Sequence, residues 1–269
     1  MRRFLATAAV LILPLPAMAQ SAWDDIRHAL WSDRVVADGA DVIALDAPYR
    51  TPDDARTVIA ASVTAPPGLR IGEVTLILDD TPMPVSAVVS FDQPQERARI
   101  DATFRVNGPM PVHAVVETTD GQLFVIEQFV KTSGQGACAA PPGTDPVLAL
   151  ETLGEMQIAA DADASAVGLV DRLSPDAMAQ KRMEVAISHP SHSGLQKDQV
   201  SLLFIPMRYV HTLDIDVDGT DFATITGSIS FSENPEIGVT IPEAAQQVSV
   251  TMTDTDDAVA TVEHRFAGL

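Results

Sequence analysis

From Val35 onward the chain is written in short runs rich in β-branched and aromatic residues, each closed by glycine, proline or aspartate. That grammar leaves few folds open, because such runs are strands and such closures are turns. The runs of the first half are Val42 to Leu45, Thr57 to Val63, Glu73 to Leu78, Val85 to Phe91, Ile100 to Val106, Val112 to Glu117 and Leu123 to Val130. Pro66-Pro67-Gly68, Asp79-Asp80-Thr81-Pro82, Asn107-Gly108-Pro109 and Asp120-Gly121 break them apart. About seven strands in about 100 residues make one antiparallel β-sandwich. A second series follows: Met183 to Ser188, Val200 to Ile205, Tyr209 to Val217, Phe222 to Thr226, Ile229 to Phe231, Ile237 to Ile241, Val248 to Thr253 and Val259 to Phe266. It predicts a second sandwich of similar size, without a residue-level repeat of the first. Between the two lies an alanine-rich connector with helix-like pieces over Pro146 to Gln157 and Pro175 to Lys181. Ahead of the first strand, Trp23, Ile26, Leu30 and Trp31 share one face of a short helix that would cap a sheet. The fold class is all-β, with two sandwiches, a short N-terminal helix and a partly helical connector.

The first residues read as an export signal. Arg2 and Arg3 precede an apolar run from Phe4 to Leu15, and Ala17-Met18-Ala19 offers a cleavage site before Gln20. The run is shorter than the roughly 20 residues that span a bilayer. Cleavage after Ala19 would leave 250 of the 269 residues as an exported, soluble periplasmic protein. With 17 basic and 37 acidic residues the net charge is −20, and loss of Arg2 and Arg3 takes it to −22. Such acidity disfavours nucleic acid and anionic lipid surfaces; it serves solubility or suits a basic protein partner.

Cys138 is the only cysteine, in Gly134-Gln135-Gly136-Ala137-Cys138-Ala139-Ala140-Pro141-Pro142-Gly143. A structural cysteine belongs in an apolar strand or helix, whereas glycines and prolines resist regular structure and leave a thiol little to pack against. Exported proteins pair their cysteines, yet this one has no partner in its own chain. It stays free, pairs with another molecule, or carries something.

Other constellations are weaker. Asp214-Ile215-Asp216-Val217-Asp218-Gly219 opens like a calcium loop, but the twelfth position, where glutamate is required, is Ile225. The same residues read better as a strand with Leu213, Ile215 and Val217 inward and a hairpin turn at Asp218-Gly219. His189 and His192 flank Pro190 and read as surface histidines in a turn rather than metal ligands. No cofactor and no metal are expected, and the nine methionines are scattered in the manner of core filler. Hydrolase elbows and phosphate-binding loops are missing from the sequence. A cysteine-dependent enzyme would need a distant base such as His113 or His189 brought to Cys138.

Several strings resemble one family, the SoxY and SoxZ sulfur-carrier proteins of periplasmic thiosulfate oxidation. In the first half these are Asp80-Thr81-Pro82-Met83-Pro84-Val85, Asp120-Gly121, Phe129-Val130-Lys131 and the glycine-rich cysteine segment. In the second half they are Ile187-Ser188-His189-Pro190, Ser193-Gly194, Lys197-Asp198 and Ile229-Ser230-Phe231-Ser232-Glu233-Asn234-Pro235. Gly136-Ala137-Cys138-Ala139-Ala140-Pro141 followed by Asp145-Pro146 is similar to the junction of a fused form, the quinoprotein dehydrogenase-associated SoxYZ-like carrier. The resemblance divides the chain into a signal peptide at 1–19, a SoxY-like sandwich at 20–131, a cysteine arm and connector at 132–182, and a SoxZ-like sandwich at 183–269. It implies two immunoglobulin-like domains and a carrier without catalysis of its own.

Under that resemblance Cys138 holds a sulfur-containing intermediate as a covalent adduct, and Gly134, Gly136, Ala137 and Ala139 form a flexible arm. Partners would be periplasmic Sox-like enzymes or a quinoprotein dehydrogenase system. From Lys131 to Cys138 the extended reach is up to roughly 25 Å. The SoxY arm is a free carboxyl terminus, whereas here the chain runs on through Ala139, Ala140, Pro141 and Pro142, so the arm is a loop tied at both ends. A different reading makes the two sandwiches a docking or stabilising module for a dehydrogenase, with Cys138 incidental.

Overall fold

Alternation becomes strand wherever one face meets a core. In Gln180–Ile187 and Gln247–Asp254 every second side chain is buried and its neighbours are only half-buried, the period of two that a one-sided sheet imposes. The computed structural model describes residues 22–134, 136–137, 146–161, 180–197 and 201–266. The first half holds α1 (Ala22–Trp31), β1 (Val36–Asp38), β2 (Ile43–Asp46), β3 (Thr57–Thr64), β4 (Ile71–Leu78), β5 (Val85–Gln95), β6 (Arg97–Phe104), β7 (Met110–Thr118) and β8 (Leu123–Val130). The second holds α2 (Pro146–Glu151), β9 (Met156–Asp161), β10 (Gln180–Ile187), β11 (Val210–Val217), β12 (Thr220–Gly227), β13 (Glu236–Pro242), β14 (Gln247–Asp254) and β15 (Val259–Arg265).

The all-β class and the short N-terminal helix agree with the sequence reading. What the pattern did not reveal is that the halves are joined edge to edge in both layers. A nine-stranded sheet runs β1-β8-β7-β4-β5-β12-β11-β14-β15, and a six-stranded sheet runs β2-β3-β6-β13-β10-β9. The joints are β5 with β12, from Ala87↔Gly227 to Phe91↔Ala223, and β6 with β13, from Ile100↔Val239 to Ala102↔Ile237. One buried apolar cluster continues between the sheets through both halves.

Side chains reinforce this seam. Phe104 and Phe231 are fully buried and stack with ring centroids 5.4 Å apart. Arg182 on β10 forks onto Asp101 on β6, with Nε at 2.8 Å from Oδ1 and Nη2 on Oδ2, and Nη2 also meets Glu184 at 2.6 Å. The Asp101 bonds push the Arg182 guanidinium above its ordinary pKa. Gly238 lies between them in register with Asp101. A Cβ there would sit 2.6 Å from both carboxylate oxygens, so the ion pair demands glycine.

Several boundaries moved for physical reasons. Residues Met156 to Gln157, read as the end of a helix, open strand β9, because Met156–Asp161 finds a ladder on β10 that alanine-rich composition does not advertise. The helix near Pro175 falls outside the described residues up to 179, and Gln180 and Lys181 begin β10. The Ile229 to Phe231 run is a turn with an isolated bridge from Phe231 to Phe104. Positions 201–205 form no strand; Phe204 only bridges Lys197. The three-residue β1 lies parallel to β8. The acidic run is a hairpin, with Asp218 and Gly219 both at positive φ, 51° and 78°, and Leu213, Ile215 and Val217 buried. The helix face is narrower than expected: Trp31 is buried and Trp23 and Ile26 pack beside it, while Leu30 is 43% exposed.

Candidate functional site: the root of the cysteine segment

Strand β8 ends at Val130, and the next residue, Lys131, is gripped by the loop between β2 and β3. Lys131 N–H donates to Tyr49 O at 2.8 Å, and Thr51 N–H donates to Lys131 O at 2.9 Å. Arg50 Nη1 donates to Thr132 O at 3.3 Å. The Lys131 ammonium lies 4.8 Å from the Tyr49 ring centre and, by its bond to the hydroxyl, holds the phenol below its usual pKa.

Beyond this clasp the chain turns onto one carboxylate. Asp54 accepts Ser133 N–H at 2.6 Å on Oδ1, and Gly134 N–H at 3.1 Å and Gly136 N–H at 3.0 Å on Oδ2. Gly134 and Gly136 have φ of 93° and 82°, a region that L-residues rarely adopt. Successive N–H groups turned inward by such backbone form a concave anion receptor, here filled by the protein's own side chain. Burial pushes the Asp54 carboxyl up, but the Ser133 and Gly136 N–H groups, the Ser133 hydroxyl and the Gly134 N–H outweigh it and hold the group below the ordinary carboxylate value. Ala137 is buried next in line, at 1% exposure. Cys138 and Ala139 lie outside the described residues. The reach counted from Lys131 is therefore not free length in this structure: the segment is held as far as Ala137.

The Asp54 end of the contact is firmly built. Its carbonyl accepts Val106 N–H at 2.8 Å, and the turn is closed by Thr57 Oγ1 donating to Thr51 Oγ1 at 2.8 Å, which in turn donates to Asp53 O at 2.8 Å. From Val106 the contacts lead straight into the second half, since Arg105 Nη1 donates to Ser191 O at 2.5 Å and Phe231 O at 2.7 Å.

Here the reading of the histidines as surface residues is corrected. His189 is buried at 1% exposure, with Nδ1 accepting Ser191 N–H at 2.9 Å and Nε2 3.4 Å from Asp254 Oδ2. Burial pulls its pKa down to about 4, which the Asp254 contact only partly offsets. His192 is half-buried, and burial, then Arg105 and Arg208, lower it too. Asp254 takes Arg208 Nε at 2.7 Å and Ala258 N–H at 2.8 Å. Burial is outweighed by Arg208 and the Ala258 and Asp256 N–H groups, so its carboxyl stays below its ordinary value. His113, the other candidate base, is buried on β7, with Nδ1 2.8 Å from Asp79 Oδ1, Nε2 3.2 Å from Glu127 Oε2, and the Trp23 ring stacked on it at 4.0 Å. Both histidines are occupied by carboxylates. Among the described residues no group of three or more His, Cys, Asp or Glu is arranged to hold a metal.

Comparison with known families now bears on the cysteine segment. The family model "Sulfur oxidation protein SoxY" matches residues 27–138, and "Sulphur oxidation protein SoxZ" matches residues 175–265. A SoxY-like domain and a SoxZ-like domain stand in tandem in one chain. The SoxY match ends on Cys138 itself. No curated protein matches the sequence. Among solved structures, the sulfur carrier protein SoxY from Chlorobium limicola f thiosulfatophilum is 16% identical, covers 42% of this chain and 96% of its own, and has a TM-score of 0.37. The serine-rich repeat adhesion glycoprotein Srr1 from Streptococcus agalactiae is 11% identical, covers 83% of this chain and 96% of its own, and has a TM-score of 0.18. With scores this low, neither likeness bears weight. The link to a quinoprotein dehydrogenase rests on the sequence resemblance alone. Asp54 escaped the sequence reading altogether: it lies 79 residues before Ser133, in a turn with no pattern tying it to the cysteine segment.

Proposed function

We propose that the chain is an exported sulfur carrier that holds a sulfur-containing intermediate on Cys138 and hands it between partner enzymes, without catalysis of its own. The observation that carries this reading is the SoxY match running to Cys138 with the SoxZ match following in the same chain. The chemistry needs only a nucleophilic thiolate. The Cys138 thiolate attacks a sulfane sulfur of a donor persulfide or disulfide; a new S–S bond forms as the donor's breaks, and the departing thiolate takes the electron pair. The periplasm, reached through the leader at 1–19, suits the unpaired cysteine, and Sox-pathway enzymes are the partners the two domains favour. Intact mass spectrometry of protein taken from native cells without reductant tests the reading. A reducible mass addition, missing from Cys138→Ser, is expected; each protein at its own unmodified mass, repeated during active sulfur oxidation, would sink it.

One observation favours a second reading, a docking module for a dehydrogenase with Cys138 incidental. Leu202, Leu203 and Phe204 are 72%, 69% and 62% exposed in the loop before β11, a surface of the kind that partners cover. Partner capture indifferent to Cys138→Ser but lost when these three become serine would favour it.

A further inference from the structure

We propose that Asp54 is a positioning residue for Cys138: its carboxylate latches the segment ahead of the cysteine, and opening that latch lengthens the tether by the residues from Thr132 to Ala137. The purpose of such a latch rests on the carrier reading, but its existence does not. The carboxylate is 1% exposed and belongs to neither sheet, and all three backbone donors it takes come from positions 133–136. No atom lies within 4 Å of a Cβ placed on Gly134 or Gly136. Packing therefore does not call for glycine at these positions. Their positive φ does, and that φ is what turns the N–H groups onto Asp54.

The two sides of the contact are unequal. Asp54 is fixed through Val106 and the Thr51–Thr57 turn, whereas beyond the Lys131 clasp and the Arg50 bond to Thr132 the segment is tied to the body by the Ser133, Gly134 and Gly136 N–H groups on Asp54. When the contact opens, the segment is the side that moves. Latched, the chain is held as far as buried Ala137; unlatched, the seven residues from Lys131 to Cys138 allow a reach of up to roughly 25 Å. A sulfur adduct would then be held close to the body between deliveries and extended for a partner's cleft.

The test is a distance measured by pulsed electron resonance in the full exported chain, between nitroxides on Cys138 and on Val259→Cys. Val259 is 64% exposed on the outermost strand β15, seven strand spacings from β8, roughly 34 Å. The latch predicts a single narrow distribution that broadens at least twofold in Asp54→Asn. A broad distribution before substitution, or superimposable distributions after it in folded protein, overturns the proposal. Should Asp54→Asn fail to fold, Gly136→Ala attacks the same latch from the other side, and an unchanged distribution there overturns it equally. Failure of the carrier reading would show separately, as a clean intact mass, and would leave these distances unaltered.

Discussion

Two buried aspartates, Asp101 at the seam and Asp54 at the cysteine root, solve the cost of a buried charge in different ways. Asp101 meets a guanidinium from the other half of the chain, fork to fork, between two strands that are themselves paired through β13. Asp54 meets the N–H groups of one segment, two of them from glycines, and the Ser133 hydroxyl of that same segment. A side-chain ion pair between ladders is rigid and breaks only with the ladders. A carboxylate in a backbone concavity is held by bonds that one short segment can withdraw together. The first arrangement suits a permanent joint and the second a reversible one.

The largest way to break this comparison is Arg182→Ala, which strands Asp101 beside a seam with only Arg99 Nε, at 3.8 Å, in reserve. Removing one partner of a buried pair costs about 3 kcal/mol. We expect urea unfolding to lose that much, and because the seam joins both layers, both halves should unfold together in one transition. A retained first transition with early loss of the second half would show the seam to be weaker than its pairing indicates.

Acid titration comes next. His189 has its pKa lowered from 6.5 to about 4, so the folded state resists a proton that the unfolded state binds. Stability is therefore fully present above pH 6.5, falls as pH drops from 6.5 to about 4, and levels below that, by about 3 kcal/mol in all. His192, lowered in the same sense, adds to the loss, and Asp254, also lowered, extends it below the ordinary aspartate value. His189→Asn keeps an acceptor for Ser191 N–H and should flatten the melting temperature between pH 7 and 4.5. An equally steep profile in the variant would assign the acid sensitivity elsewhere.

Much of this architecture was legible because alternation and turn chemistry are local. Strands β3, β4, β7, β8, β12, β13, β14 and β15 fall within a few residues of their sequence-read runs. The seam was not legible, because an edge that pairs with another half looks, residue by residue, like any other strand. Met156–Asp161 hid for the same reason, and Ile229 to Phe231 misled because Phe231 is apolar for its stack on Phe104, not for a ladder. His189 looked like a turn residue beside Pro190; its burial depends on Asn234 Oδ1 accepting its N–H 45 residues away. The cysteine was visible at once, its latch not at all.

Asp54→Asn should cost less than the seam does, about 1–2 kcal/mol, since the amide still accepts one N–H bond while its own NH2 faces the remaining donors. The contrast with Asp101→Asn sharpens the comparison. Asp101→Asn is expected to lower the urea midpoint and leave the Cys138 to Val259 distance unaltered, whereas Asp54→Asn changes the distance out of proportion to the midpoint. If both variants moved both readouts together, the two aspartates would be doing the same structural job.

The smallest effect belongs to the clasp that precedes the latch. Lys131 and Tyr49 meet at the surface, with Tyr49 65% exposed, and exposed contacts of this kind contribute little to stability. Lys131→Met keeps the stem but removes the ammonium, so the Tyr49 phenol, held low by that charge, should titrate upward toward its ordinary value. The chain has two tyrosines, Tyr49 and Tyr209, so the phenolate absorbance of a Tyr209→Phe background isolates Tyr49. A rise in its pKa with an unchanged urea midpoint would mark Lys131 as a local electrostatic contact, with the backbone bonds of Lys131 to Tyr49 and Thr51 still holding the strand end. A clear loss of stability would instead make Lys131 part of the frame on which the Asp54 latch closes.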